Sequence, residues 1–302
     1  MHRVGRLTLL CFLFLTVTGC QDTEDSPVDD RTEKLIISTS VGNMSSRGAI
    51  KTNNLADGKQ IGVTVVDAGD EVYQKKDFNN VCYTAQTVNG TQQWLPEEGK
   101  DIMLGGVEGT LYAYYPWKEG LDIENIGIDL TEGKQVDWLY ATKIEKLSNT
   151  NNKVQIKMNH ALANMNISLV KGQYIGKGKV SKITFTSDAI ASGATMNAKT
   201  GQLDDFQDAG VTFEYEVDAQ LNDEPVQINV LFVPTEAHEP ITVKITVDNK
   251  TYTVESEPVN TQSGASYNYT LIQHAEKLEM TNLTVTPWND KPQGTLEVDK
   301  KK

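Results

Sequence analysis

Histidine, cysteine and arginine are scarce in this 302-residue chain, and each scarcity excludes a class of protein. No two of His160, His238 and His274 stand at a spacing typical of metal ligands, so we expect no metal centre. Of the three cysteines, two lie within the first 20 residues and only Cys82 follows, which excludes a framework of internal disulfides. The net charge of −13 argues against nucleic acid as a partner.

Sequence signatures of catalysis are also missing. The chain has no Gly-x-Ser-x-Gly nucleophile motif, no phosphate-binding glycine loop and no calcium loop. The acidic pairs at 29–30, 97–98 and 204–205 lie beside glycine, proline or other polar residues. Solvated turns explain such pairs better than acid–base chemistry does. We therefore expect no enzyme activity and no cofactor.

The first 20 residues have the pattern of a lipoprotein signal peptide. Arg3 and Arg6 precede an apolar run at 7–17, which is too short to span a bilayer. The run ends in a lipobox, an apolar residue and two small residues before Cys20. We expect cleavage between Gly19 and Cys20 and acylation of the Cys20 thiol, which gives a lasting hold on a membrane. Residues 1–19 are then the signal peptide, and the acidic segment 20–33 is a disordered tether.

Alternation of apolar and polar residues dominates the rest of the chain and predicts short β-strands. The predicted strands are 35–41, 61–66, 81–88, 91–94, 109–115, 137–141, 154–158, 163–170, 180–186, 195–198, 227–233, 241–247, 251–254, 266–272 and 283–286. Asn89-Gly90 is the strongest turn signal, because both residues tolerate the positive φ of a type I′ hairpin. The pattern predicts an all-β protein built from antiparallel sandwiches. A polar break at 146–152 divides it into an N-terminal domain, 34–150, and a C-terminal domain, 151–302.

Four aromatic residues cluster around Pro116, and they have two interpretations. If they are exposed, Tyr112, Tyr114, Tyr115 and Trp117 form a platform on which a sugar can stack. If they are buried, Tyr112 and Tyr114 share one face of a strand and fill a core. The strand alternation favours the buried interpretation for these two.

The positions of the arginines have two interpretations, one of which is proteolytic processing. Arginine occurs only at Arg3, Arg6, Arg31 and Arg47. Arg47 follows the first predicted strand in a small, polar segment, so an arginine-specific protease would remove the tether and that strand and spare both domains. The alternative is a chance arginine in a turn, and the residues alone do not decide between the two.

Several short motifs, in this order, resemble the fimbrillin family, the lipoprotein pilins of type V fimbriae in Bacteroidales. They are SSRGA at 45–49, IGV at 61–63, LYAYYP at 111–116, DWLYA at 137–141, MNHALA at 158–163, NAKTG at 197–201, VP at 233–234, GASYNY at 264–269 and LTVTPW at 283–288. The resemblance covers nearly the whole chain after the signal peptide.

The resemblance implies a fold and a life cycle. The fold is two transthyretin-like β-sandwiches in tandem. The precursor is lipidated at Cys20 and carried to the outer-membrane surface, and the acidic residues after Cys20 are similar to the export signal of such lipoproteins. A protease then cuts between Arg47 and Gly48.

Loss of the first strand then prepares the subunit for assembly. This removable strand includes Leu35, Ile37, Thr39 and Val41. A strand from another subunit takes its place, in a homopolymer or a heteropolymer that forms a fimbrium with a role in adhesion. The alternatives are a tip or anchor subunit and a non-polymerising surface adhesin that binds a host or glycan ligand.

Overall fold

The computed structural model describes residues 31–41, 55–131, 135–210, 212–281, 283–288 and 296–297. These residues form β-strands, turns and one short 3-10 helix, Tyr73–Lys75, with no α-helix among them. No helix in the described ranges is long and apolar enough to cross a membrane. The prediction of an all-β fold is confirmed.

The strands are short and follow one another closely. In the first half they are β1 Glu33–Lys34, β2 Ile36–Val41, β3 Gln60–Asp67, β4 Phe78–Val88, β5 Thr91–Pro96, β6 Met103–Leu104, β7 Gly109–Tyr115, β8 Ile126–Asp129, β9 Leu139–Ala141, β10 Ile144–Leu147 and β11 Lys153–His160. In the second half they are β12 Ala163–Lys171, β13 Lys179–Thr186, β14 Ile190–Ala191, β15 Gly193–Asn197, β16 Gln202–Gln207, β17 Phe213–Gln220, β18 Val226–Pro234, β19 His238–Glu239, β20 Thr242–Val247, β21 Lys250–Glu255, β22 Val259–Asn260, β23 Ala265–Gln273, β24 Leu278–Met280, β25 Thr284–Pro287 and β26 Leu296–Glu297.

The first half forms one large sheet in the order β2-β11-β9-β7-β3-β4-β5, with β10 also paired to β7. The hairpin between β4 and β5 turns at Asn89 and Gly90, whose φ angles are 51° and 78°. Positive φ at both residues is what a type I′ turn requires, so the predicted hairpin is confirmed. Alternate residues of these strands enclose a hydrophobic core that includes Ile61, Val63 and Leu111.

The second half contains a seven-stranded sheet built on β14-β18-β12-β23-β24 and a four-stranded sheet, β17-β13-β20-β21. Alternate side chains of both sheets, such as Ile167, Phe185 and Tyr269, meet in a single core. Stacked sheets with a shared interior are the arrangement of a β-sandwich. The transthyretin-like character of the two halves stays a prediction.

A small three-stranded sheet joins the two halves. β8, from the first half, pairs with β15, from the second, and β16 completes the sheet. A third hydrophobic cluster lies around this junction and includes Tyr114, Trp138, Met196 and Trp288. The halves are therefore connected by main-chain hydrogen bonds and a shared apolar interior.

Close polar contacts reinforce the junction. The ammonium of Lys199 forms an ion pair with Glu124 at 2.7 Å and a second with Asp70. Burial opposes the charge of Lys199, but hydrogen bonds to Asp70 and Glu124 outweigh it and raise its pKa. A Cβ at Gly201 would lie 2.0 Å from the ring of Tyr140, so only glycine fits there.

The structure differs from the sequence-based expectation in three respects. The sheets are mixed, because β2 pairs in parallel with β11, β12 with β23 and β18 with β26. β11 belongs to the first sheet although it follows the expected boundary at 150/151, so the chain changes sheets between His160 and Ala163. Glu33, expected to end the tether, lies in β1. Alternation reports which residues face inward but not which strand lies alongside, which explains the first two differences.

Candidate assembly site

β2 is an edge strand of the large sheet. It pairs in parallel with β11, with Ile37 opposite Val154 and Thr39 opposite Ile156. Among the described residues no strand pairs with its other edge. An edge strand can leave a sheet without separating any other pair of strands, and it leaves behind unpaired N–H and C=O groups to which another strand can bond.

The inward face of β2 is part of the first core. Leu35 and Ile37 are 6% and 4% exposed, Thr39 is 5% exposed and Val41 packs at the margin of the same core. Ile36 points the other way and is 51% exposed. This alternation follows from the period of two in a β-strand. Leu35, which directly precedes β2, and Ile37, Thr39 and Val41 within it therefore share the inward face, and Val41 is the one that is only half-buried.

Backbone contacts extend the attachment of this segment beyond the pairing with β11. The N–H of Leu35 donates to the carbonyl of Ile102 at 2.9 Å, and the N–H of Ile36 donates to that of Asn152 at 2.8 Å. The side-chain amide of Asn152 donates in return to the carbonyl of Lys34 at 2.7 Å. β1 adds two residues of pairing with β6.

A side-chain hydrogen bond links the two ends of the large sheet. Nε1 of Trp94, on β5, donates to Oγ1 of Thr39, on β2, at 3.1 Å. Both residues are buried, with 4% and 5% exposure. Since β2 and β5 are the first and last strands in the sheet order, this bond closes the sheet over its core. The sequence patterns did not reveal it, because Trp94 and Thr39 lie far apart in the chain.

The remaining predicted sites lie outside the described residues. They are Gly19, Cys20, Arg47 and Gly48. Arg47 is in the connection between β2 and β3, and these two strands are separated in the sheet by β11, β9 and β7. A cut in this connection would leave β2 attached by non-covalent contacts alone.

In the aromatic cluster around Pro116, Tyr114 is buried and the other three aromatic side chains are half-buried. Tyr114 is 1% exposed, and its hydroxyl donates to Oδ1 of Asn80 at 2.8 Å. Tyr112 and Trp117 pack against the cluster at the junction of the two halves. The interpretation of Tyr112 and Tyr114 as packing residues agrees with this arrangement.

His160 and Cys82 are two titratable side chains that are buried. His160 contacts the carboxylate of Asp137 at 2.9 Å and stacks on Trp288 with ring centroids 3.8 Å apart. Trp288 belongs to the hydrophobic cluster at the junction, and no sequence pattern predicted its pairing with His160. Burial raises the pKa of the Cys82 thiol, which keeps it in its unreactive form. In the described ranges no three His, Cys, Asp or Glu side chains are grouped to hold a metal ion.

Solved structures of other proteins have a similar fold. A candidate cell adhesion protein from Bacteroides ovatus has a crystal structure that matches with a TM-score of 0.70 at 17% identity, covering 87% of this chain and 100% of that one. Another from Bacteroides uniformis matches with a TM-score of 0.65 at 19% identity, covering 84% and 98%. At these identities the similarity concerns the fold.

Sequence comparison gives the family. The candidate fimbrium subunit Fim1C from Bacteroides uniformis is 28% identical over 204 residues, which are 64% of this chain and 65% of that protein. The match therefore spans slightly less than two thirds of the length of this curated relative. The family model described as fimbrillin-like matches residues 47–288, most of the chain, and the chain therefore belongs to the fimbrillin-like family.

Proposed function

We propose that this chain is a structural subunit of a cell-surface fimbria, with a role in adhesion, and that it assembles with other fimbrial subunits by exchange of its first strand. The observation that carries the proposal is the position of β2, which is at an edge of the sheet and has one apolar face in the core. Its connection to β3 contains Arg47. Proteolysis after Arg47 releases β2, and a strand from a neighbouring subunit occupies its place.

Removal of β2 would leave a groove along the edge of β11, and filling this groove again is favourable in free energy. Burial of the Leu35 and Ile37 side chains contributes about 1.5–3 kcal/mol each, and loss of β2 exposes the core that they cover. The edge of β11 also loses its main-chain partner. An incoming strand restores both contributions. Because the strand of one subunit fills the groove of the next, the contact is heterologous and repeats along a filament.

Membrane attachment is the second part of the proposal. The lipobox ends at Cys20, and acylation there anchors the precursor to the outer membrane until processing releases it. Expression of the wild type and a Cys20→Ser variant in a bacteroidete host, followed by membrane fractionation and fatty-acid labelling, tests this part. We expect label and membrane retention only in the wild type. Equal retention of both proteins would contradict the lipid anchor.

The assembly step is tested by cleavage of the full chain with an arginine-specific protease. We expect a cut after Arg47, and filaments in electron micrographs only after that cut. The matched variants are Arg47→Lys, which keeps the charge but removes the site, and Arg31→Lys, which leaves the Arg47 site intact. Arg31→Lys should assemble like the wild type and Arg47→Lys should not. Assembly of uncut Arg47→Lys, or a cut chain that never assembles, would refute strand exchange.

The alternative is a non-polymerising glycan-binding protein, which requires an exposed aromatic platform. The burial of Tyr114 and the packing of Tyr112 and Trp117 at the junction do not favour it. Tip and anchor positions in a fimbria remain compatible with the same fold and are distinguished by whether the Arg47→Lys variant changes fimbrial length or abolishes fimbriae.

A further inference from the structure

The indole N–H of Trp94 depends on β2 for its hydrogen bond. An indole nitrogen is a donor only, and in the described residues its acceptor is Oγ1 of Thr39. Trp94 itself does not lie on the removable segment, since β5 is at the opposite end of the sheet. When β2 leaves, the core keeps the indole and loses its acceptor. Any strand that replaces β2 must therefore supply an acceptor or leave this donor unpaired.

The register of β2 defines where the acceptor must stand. Leu35 and Ile37 fill the first two inward positions, Thr39 the third and Val41 the fourth. The third position lies opposite Ile156 of β11 and contacts the indole of Trp94 on β5. A carboxylate there would lose its hydration, whereas a hydroxyl is small, neutral and able to accept the bond.

We propose that the groove selects an extended strand whose successive inward side chains are apolar, apolar, hydroxyl and apolar, and that Trp94 recognises the hydroxyl. The partner is therefore a segment of a fimbrial subunit with serine or threonine two residues after its second inward apolar residue. This inference rests on the proposed strand exchange and adds its specificity. Trp94 is the specificity residue, whereas the apolar positions supply affinity and exclude a shift by one residue but not a shift by two.

One polar inward position is enough to set the register of the incoming strand. Side chains alternate strictly along a strand, so a shift by one residue exchanges the inward and outward faces. A shift by two residues keeps the faces but moves the hydroxyl away from Trp94 and places an apolar group against it. An unpaired buried donor then opposes binding, which sets the register of the incoming strand as well as its sequence.

The test uses the full chain cut after Arg47, with the severed segment left to exchange against labelled peptides. The peptides span residues 32–43 and carry threonine, serine or valine at the third inward position. Valine has the shape of threonine but no acceptor. We expect the Thr39→Val peptide to bind about 5- to 150-fold more weakly than the native one, and the Thr39→Ser peptide to bind within a few fold of it.

A variant of the protein without the indole N–H tests the role of this donor. In Trp94→Phe, which keeps an aromatic ring but has no N–H, the native and Thr39→Val peptides should bind within about twofold of each other. Equal binding of both peptides to the wild type would overturn the inference, and this result requires no variant protein to fold. Peptide binding without filament formation would refute the proposed function and leave the selectivity intact. Failure of every peptide to exchange would overturn both.

Discussion

Replacement of Ile37 by alanine measures how much β2 contributes to the first core. Ile37 is 4% exposed and its neighbours are core residues, so the substitution removes buried methyl and methylene groups and leaves a cavity. Such truncations of buried isoleucine cost about 2–5 kcal/mol. We expect the free energy of unfolding of the full Ile37→Ala chain to fall by this amount, so that its urea unfolding midpoint is lower.

The same strand offers a matched control. Ile36 precedes Ile37 in β2 and carries the same side chain, but it points outward and is 51% exposed. Both substitutions change the strand propensity of the sequence equally. The difference between them therefore reports burial, and we expect Ile36→Ala to cost no more than about 1 kcal/mol. Urea unfolding followed by far-ultraviolet circular dichroism gives both values.

The same two alanine variants differ again once the chain is cut after Arg47. Once the segment is held non-covalently, the cost of Ile37→Ala becomes a loss of affinity of at least about 30-fold, and the segment should dissociate correspondingly sooner. Size-exclusion chromatography of the chain cut after Arg47 detects the loss. Equal stability of the two alanine variants, or equal retention of the two cut segments, would show that β2 does not complete the core, and the strand-exchange reasoning would fail with it.

Three further predictions concern other parts of the molecule. Gly62→Ala should destabilise the chain by more than about 1 kcal/mol in urea unfolding, because the new Cβ would stand 2.2 Å from the buried ring of Tyr114; unchanged stability would contradict this packing. Lys199→Met should lower stability by about 1 kcal/mol at low salt and less at high salt, since its two carboxylate partners are half exposed; a salt-independent loss would contradict the ion-pair account. The hydrogen bond from the N–H of Gly178 lowers the pKa of Asp248, so its contribution is present above about pH 4 and is lost as pH falls through the lowered pKa. Asp248→Asn should therefore flatten the acid limb of an unfolding profile, and an unaltered limb would refute this.

Local signals in the sequence were enough to predict much of the fold. The alternation in β3, β7, β13 and β20 and the Asn89-Gly90 turn are properties of neighbouring residues, and the structure agrees with them. The interruption between the predicted strands 154–158 and 163–170 also agrees with the structure, where β11 ends at His160 and β12 begins at Ala163. These features depend on contacts within a few residues, which a pattern can report.

Long-range pairing explains what the sequence did not reveal. β8 is only four residues long, Ile126–Asp129, and it pairs with a strand of the other half of the molecule. Nothing in its own composition identifies that partner. The partners β2 and β11 are also remote in the chain, so their parallel pairing had no local signature. The bond between Trp94 and Thr39 depends on the closure of the whole sheet, which only the folded molecule brings about.

If the connection between β2 and β3 is cut, the strand order allows β2 to leave while the rest of the first sheet stays paired. The other strands of the first sheet all follow the β2–β3 connection in the chain. Within this sheet β2 is bonded to β11 alone. Among the described strands, departure of the severed segment would therefore separate only the β2–β11 and β1–β6 pairs. The junction formed by β8, β15 and the third hydrophobic cluster also involves no residue of β2. Opening the groove thus costs the stability that β2 contributed while leaving the connection between the halves in place. A subunit in a filament needs that combination, because the site that receives a neighbour must become vacant while the body that transmits tension stays whole.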